Sequence, residues 1–267
     1  MLEKNSKIFC DAHFHLYDFF QKGIEDPFLS SADIPYYSLS TAIGQSQWES
    51  QKAIISNLKI DKKIKTSFGI HPLYISRLNY KEELLYLEKL CSNNDIAAIG
   101  EAGFDFYNKE ERVNEGLQKE VFESQLELAV KYHLPLIIHC RKANDYLFNY
   151  MNQFKLLPGL LFHSFMGNSI EAEKTLKKLP QAFFSFGKQI ANNNKKVIDC
   201  VKNLPLENLL CETDAPFQYL KNESLTFPSS IEDVYKMFIQ ERKEDEYKIY
   251  RQLLLNYCKL FNISNIL

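Results

Sequence analysis

Residues 7–20 read KIFCDAHFHLYDFF, a short apolar run that ends in two histidines, His13 and His15, one residue apart. Side chains two apart on a strand point the same way. If the run is a strand, both imidazoles leave its C-terminal end on one side, where they can converge on one cation; neutral imidazole is a common metal ligand. Either histidine alone reads as a hydrogen-bonded core residue. The pair asks whether the rest of the chain ends its strands in the same way.

It does. Strand-like runs recur at 35–43 (PYYSLSTAI), 65–71 (KTSFGIH), 96–103 (IAAIGEAG), 135–140 (PLIIHC), 159–165 (GLLFHSF), 182–187 (AFFSFG) and 208–216 (NLLCETDAP). Helical periodicity fills the gaps at 47–58, 80–93, 116–133, 142–154, 169–179 and 194–204, and again at 231–242 and 245–261. The first connection, 16–34, reads as a loop with a short helix. Eight strands alternating with helices imply a parallel sheet packed under helices. The strand count, a length of 267 residues and the lack of a glycine-rich dinucleotide fingerprint favour a closed (β/α)8 TIM barrel. With no internal repeat, low-complexity tract or linker, residues 1–267 are expected to form a single domain.

In such a barrel the active site is built at the C-terminal ends of the strands. Five of the six histidines fall at such ends: His13 and His15 after strand 1, His71 after strand 3, His139 on strand 5 and His163 on strand 6. Glu101 joins them from strand 4 and Asp214 from strand 8. The sixth histidine, His133, ends a helix and reads as a surface residue. Barrel closure puts strand 8 beside strand 1, so Asp214 can share a metal with His13 and His15. Strands 4, 5 and 6 are neighbours, so Glu101, His139 and His163 can cluster around a second ion, with Glu101 as the bridge. Two ions so placed would bind a water and supply hydroxide at neutral pH. Glu212 lies on the inward face one layer below Asp214, and Asp105 reads as a residue that fixes a loop.

The six cysteines are scattered with no CxxC pair, which suits reduced structural thiols. Odd spacings from His13, His139 and Asp214 place Cys10, Cys140 and Cys211 on the helix-facing side, buried and away from any metal. A hydrophobic share of 45% and a charged share of 25% fit a globular protein with a sizeable core. The apolar runs are strand-sized, so no transmembrane helix is expected. The start, MLEKNSKIF, has no apolar core of a secretory signal, which makes the cytoplasm the expected location. A net charge of -2 excludes a broad electrostatic footprint for nucleic acid, so such a substrate would be gripped locally.

Taken in order, the motifs DAHFHL, FGIHP, IGEAGFDF, PLIIHCRKA, LFHSFMG and LLCETDAP resemble those of the TatD-type metal-dependent deoxyribonucleases, within the metal-dependent hydrolase superfamily. The likeness runs from Asp11 to about Phe217. It implies a Mg2+- or Mn2+-supported phosphodiesterase, often a 3′→5′ DNA exonuclease acting on single strands or 3′ ends. It also implies His13, His15, Glu101, His139, His163 and Asp214 as ligands of two divalent metal ions, with His71 and Arg141 near the scissile phosphate. Arg141 offers a fork of donors for phosphate oxygens, and His71 can donate when protonated. By ligand type alone Zn2+ suits the set as well. Attack by a metal-activated hydroxide is the expected reaction, with Asp214 also orienting the water or taking its proton.

Two departures bear on substrate range, which barrel loops set. After the ETDAP strand the family's Arg-Asn-Glu-Pro-like element is replaced by KNESLTFPSS, with Thr226 and Phe227 for Asn and Glu. The loop after HFHL, DPFLSSADIPYY, is also atypical. The competing enzyme reading is a small-molecule or aminoacyl-RNA amide or ester hydrolase; Glu101, where several such relatives carry a modified lysine, favours the nuclease. A non-catalytic binding protein is disfavoured by the intact set of six ligands. Phe104, Phe106, Tyr107, Phe165 and Phe217 follow strand ends and are candidates to stack on bases. A monomer is the expected state.

Overall fold

The computed structural model describes residues 7–28 and 36–264. The elements run β1 (Phe9–Phe14), α1 (Leu16–Gln21), β2 (Tyr36–Ile43), α2 (Gln45–Asn57), β3 (Ile64–Gly69), α3 (Tyr80–Asn93), β4 (Ala98–Asp105), α4 (Lys109–Val113), α5 (Glu115–Lys131) and β5 (Leu136–Arg141). They continue with α6 (Asn144–Leu147), α7 (Met151–Phe154), β6 (Leu160–Phe162), α8 (Ser169–Lys178), β7 (Ala182–Phe186), α9 (Lys195–Asn203), β8 (Leu209–Cys211), α10 (Ile231–Arg242) and α11 (Glu246–Leu260). All eight strands are parallel and lie in chain order in one sheet. The fold is the (β/α)8 barrel that the alternation implies. Part of the atypical first loop, 29–35, lies outside the described residues.

The ring closes between β1 and the segment after β8. Backbone N–H groups of Asp214 and His15 donate to the carbonyls of His13 (2.9 Å) and Ala215 (2.7 Å). The buried carboxylate of Asp11 reinforces the seam, accepting from the Thr213 backbone N–H (2.9 Å) and the Thr213 hydroxyl (2.6 Å). These bonds satisfy edge groups that an open sheet would leave to water.

Below the rim the barrel is filled by Leu39, Ala98, Ile137, Leu161, Phe183 and Leu210, packed against Leu254, Tyr257 and Phe261 at the end of the chain. Ile137, Leu161 and Leu210 each precede an inward polar residue (His139, His163, Glu212) by two positions, so this apolar layer is the floor of the site. Cys10 belongs to this layer and not to the helix-facing side expected for it. The reason is a register shift between Asp11 and Phe14, where β1 carries an extra residue against β2 and the parity counted back from His13 fails. Cys211 does pack with the helix-facing cluster, and all six thiols are free.

The strands stop sooner than their apolar runs. β3 ends at Gly69, β6 at Phe162 and β8 at Cys211, so His71, His163 and Asp214 stand just beyond the ladders. The helix expected over 142–154 is split by a 3-10 turn at Phe148–Tyr150. The tightening coincides with the anchoring of Tyr150, whose ring lies against Phe122 (5.0 Å between centroids) and whose hydroxyl donates to Glu123 (3.0 Å). No helix among the described residues is long and apolar enough to cross a membrane.

Candidate metal centre

Glu101 is delivered by the local sequence GEAG. The β4–β5 register shifts between Ile99 and Ala102, bulging the strand at Glu101. Gly100 (φ 134°) and Gly103 (φ 151°) flank the bulge in conformations that L side chains rarely adopt. A methyl on Gly100 would lie 2.6 Å from the Ile137 carbonyl oxygen, and one on Gly103 would collide with the His139 carbonyl. The two glycines therefore let β4 press against β5 while the carboxylate turns into the barrel.

That carboxylate divides the site. Its Oε1 lies 2.5 Å from His139 Nδ1, 2.8 Å from His163 Nε2 and 3.5 Å from His71 Nε2. Its Oε2 lies 3.4 Å from His13 Nε2 and 3.6 Å from His15 Nε2. Asp214 completes the second half, with Oδ1 3.7 Å from His13 Nε2 and 3.4 Å from His15 Nε2. The structure thus brings together all six side chains singled out on the motifs, and adds His71 to the half around Oε1.

The opposite nitrogen of four rings meets an orienting group. His13 Nδ1 faces the Thr41 hydroxyl at 3.2 Å, and that hydroxyl is 2.8 Å from Ser67 Oγ. His139 Nε2 faces Asp105 Oδ2 at 2.9 Å, and His163 Nδ1 faces Glu212 Oε1 at 3.5 Å. Glu212 is held in turn by the Ser185 hydroxyl, which donates to Oε2. His71 Nδ1 accepts the Leu73 backbone N–H at 3.1 Å, leaving Nε2 toward the site. Such outer partners fix ring orientation and tautomer in metal sites. Gln218 does the same for Asp214, its amide donating to Oδ2 and to the Ser164 hydroxyl, both at 2.9 Å. Thr41, Ser185, Ser164 and Gln218 carry no sequence signal of this role; only the fold brings them here.

The donor set fits divalent cations. His13 and His15 bring their Nε2 atoms to 3.1 Å. Donors held ~2.0–2.2 Å from one ion sit roughly 2.8–3.6 Å from one another, depending on its geometry. Three groups of converging donors occur among the described residues: His13, His163 and Asp214; His13, His15 and Glu101; and His71, Glu101 and His139.

Electrostatics follow from burial and crowding. Burial alone would raise the Glu101 carboxyl, but the imidazoles of His163, His71 and His139 outweigh it and hold the group well below its usual range. Asp214 is likewise lowered, chiefly by His15 against the cost of burial. Burial depresses His71 to about 4, so its ring is neutral at neutral pH and any donation comes from Nε2–H rather than an imidazolium.

Arg141 stands at the edge of the site with its side chain 47% exposed, 3.6 Å from Asp105 Oδ2 and 4.2 Å over the Tyr107 ring. Asp105 has both roles open to it: its Oδ1 accepts the Tyr107 backbone N–H while Oδ2 orients His139. Of the aromatic candidates, Phe104 and Phe106 are buried with Tyr146 and closed to bases. Tyr107 and Phe217 are exposed, and Phe217 lies 5.3 Å from the His15 ring. In the second atypical loop Thr226 is buried, its backbone N–H donating to the Pro216 carbonyl (3.1 Å), and Phe227 packs on Phe19 of α1 at 5.8 Å.

A closed parallel barrel with imidazoles and carboxylates gathered at its C-terminal rim defines a metal-dependent hydrolase. The family described as "TatD related DNase" matches residues 10–262, and the chain belongs to it. An uncharacterized metal-dependent hydrolase of Buchnera aphidicola is 27% identical over 268 residues, covering 96% of each chain. The human 3'-5' RNA nuclease TATDN2 is 33% identical over 155 residues, which span 57% of this chain and 20% of that protein. The crystal structure of YjjV, a TatD homolog from Escherichia coli, superposes with a TM-score of 0.84 at 25% identity, over 96% of this chain and 98% of the other.

Proposed function

We propose that this hydrolase cleaves phosphodiester bonds in DNA, shortening single strands or 3′ ends in the 3′→5′ direction, and that residues 1–267 act as one catalytic domain, monomeric and cytoplasmic. The observation that carries the reading is the division at Glu101, with one oxygen toward His139 and His163 and the other toward His13 and His15. In this assignment His13, His15 and Asp214 would hold one divalent ion, His139 and His163 a second, with Glu101 shared between them. Mg2+ or Mn2+ is the proposed pair, and the imidazole-rich set is also compatible with Zn2+. When bound, the ions supply positive charge at the phosphate and make water more acidic at neutral pH. Asp214, kept ionised, takes the proton of the attacking water. Arg141 binds a phosphate oxygen and offsets charge that builds on it. His71 presents Nε2 beside Glu101, and Glu212 with Ser185 keeps His163 from turning.

The family description and the activity named for the human relative support a nucleic-acid diester and the 3′ polarity. The test is stepwise shortening of end-labelled single-stranded DNA, with an RNA of the same sequence alongside, in Mg2+, Mn2+ or Zn2+ and in EDTA. Loss of single nucleotides from the 3′ end, abolished by EDTA and by Glu101→Ala, supports the proposal. Failure to release nucleotides with any metal, together with turnover of amide or ester substrates, overturns it.

A further inference from the structure

Beside the metal centre, between the broken α6–α7 segment and α8, lies an open cavity of about 610 Å³. His163 lines it together with the helix-facing Ile138 and Phe162, and reaches Glu101 Oε1 with its Nε2 at 2.8 Å, so the cavity and the Glu101 site share this residue. The volume falls within the ~300–1,000 Å³ typical of small-molecule sites. The walls are mainly apolar, with Met151, Phe148 and Met166 among them, and also carry the carboxylates of Asp145 and Glu171. Phe148 and Met166 are 47% and 50% exposed. Phe148 opens the 3-10 turn that splits the helix. Arg141 and Lys142 line the cavity as well, sitting 4.2 Å and 4.4 Å from the ring of Tyr107, which also lines it.

We propose that this cavity is a nucleoside pocket, which holds the base of the nucleotide whose phosphodiester lies at Glu101; the proposal rests on the phosphodiesterase reading above. The ligand it calls for has a flat apolar part and an anion at one end. A nucleotide has both: its base stacks on Phe148 and Met166 while Arg141 and Lys142 meet the phosphate. A base seated there is out of its duplex, so the pocket selects unpaired ends without reading sequence.

The test compares thymidine 5′-(4-nitrophenyl phosphate) with ethyl 4-nitrophenyl phosphate, which shares the reacting diester but has no base. It adds calorimetric titration of dTMP into the metal-free protein. In a Phe148→Ala, Met166→Ala double variant, KM for the nucleoside diester should rise about tenfold, with kcat and both constants for the ethyl diester within about twofold. The dTMP affinity should weaken about as much. Met151→Trp, which fills the cavity, should reproduce the pattern, with melting curves confirming that each variant folds. Equal effects on both diesters, or dTMP binding indifferent to the substitutions, overturn the pocket. If the wild type hydrolyses neither diester, the phosphodiesterase reading falls, and the titration alone decides: dTMP binding lost in the variants upholds the pocket, and no binding refutes it.

Discussion

Asp105 Oδ2 lies 2.9 Å from His139 Nε2, and the Nδ1 on the far side of that ring meets Glu101 Oε1 at 2.5 Å. A carboxylate at the end of β4 thus aims a histidine at Glu101. Asp105→Ala should lower the affinity for divalent metal by about 10–100-fold. Asp105→Asn should recover part of the loss, since an amide oxygen still accepts from the ring. Titration calorimetry with Mn2+ measures both, and an unchanged affinity in the alanine variant would remove Asp105 from the site.

Metal should stabilise the folded chain by mass action. At ~1,000 times the dissociation constant the gain is about 4 kcal/mol, which for a chain of this size is roughly ten degrees in Tm. EDTA-treated protein should show that rise when Mn2+ is added back, and Glu101→Gln should show little of it. An equal rise in the variant would mean that the ion binds elsewhere.

Arg141 is half exposed and touches none of the converging donors. Arg141→Ala should therefore raise KM for a diester about tenfold, a charged hydrogen bond's worth, and leave the metal-induced rise in Tm intact. With few phosphate contacts outside the site, affinity for DNA should fall only gently with salt. A steep salt slope would reveal a binding surface that the net charge of -2 does not suggest.

Alkaline pH should unfold the protein early. Burial lifts all six thiols above their usual value of 9.0, Cys91, Cys140 and Cys200 to about 12. Below pH 9 they are protonated in folded and unfolded chains alike, and this stabilisation is present in full. Above it the unfolded chain ionises while the folded one does not, so stability is lost progressively as pH climbs toward the folded values. The slope is about 1.4 kcal/mol per pH unit for each fully buried thiol, such as Cys10 or Cys211. Urea midpoints at pH 8, 9.5 and 10.5 should fall only beyond pH 9, and less so in Cys10→Ala. A flat profile to pH 10.5 would contradict it.

The barrel was legible because its signal is local. Apolar runs of strand length and helical periodicity between them mark the strands and long helices from β1 to α11, while among the described residues the short α4 is unannounced and the break between α6 and α7 leaves no mark in the pattern. The convergence of His13, His15, Glu101, His139, His163 and Asp214 followed from the ring alone, since a closed sheet leaves strand ends one place to meet. What escaped depends on contacts made across the fold. Cys10 was misplaced because an extra residue in β1 reverses its parity, and no turn residue marks that bulge. The place of His71, its Nε2 3.5 Å from Glu101 Oε1, is likewise unmarked in its motif. Thr41 and Gln218 are ordinary polar residues until β2 and the loop after β8 bring them beside His13 and Asp214.

The seam between Asp11 and Thr213 joins residues 202 positions apart. A ribosome therefore releases the chain as far as Asp214 before His13 and His15 can meet it, and shorter nascent chains cannot own a complete site. Search over so long a loop is slow compared with local helix formation. Hydrolytic competence waits for the eighth strand to close on the first, so no shorter nascent chain acts as a hydrolase.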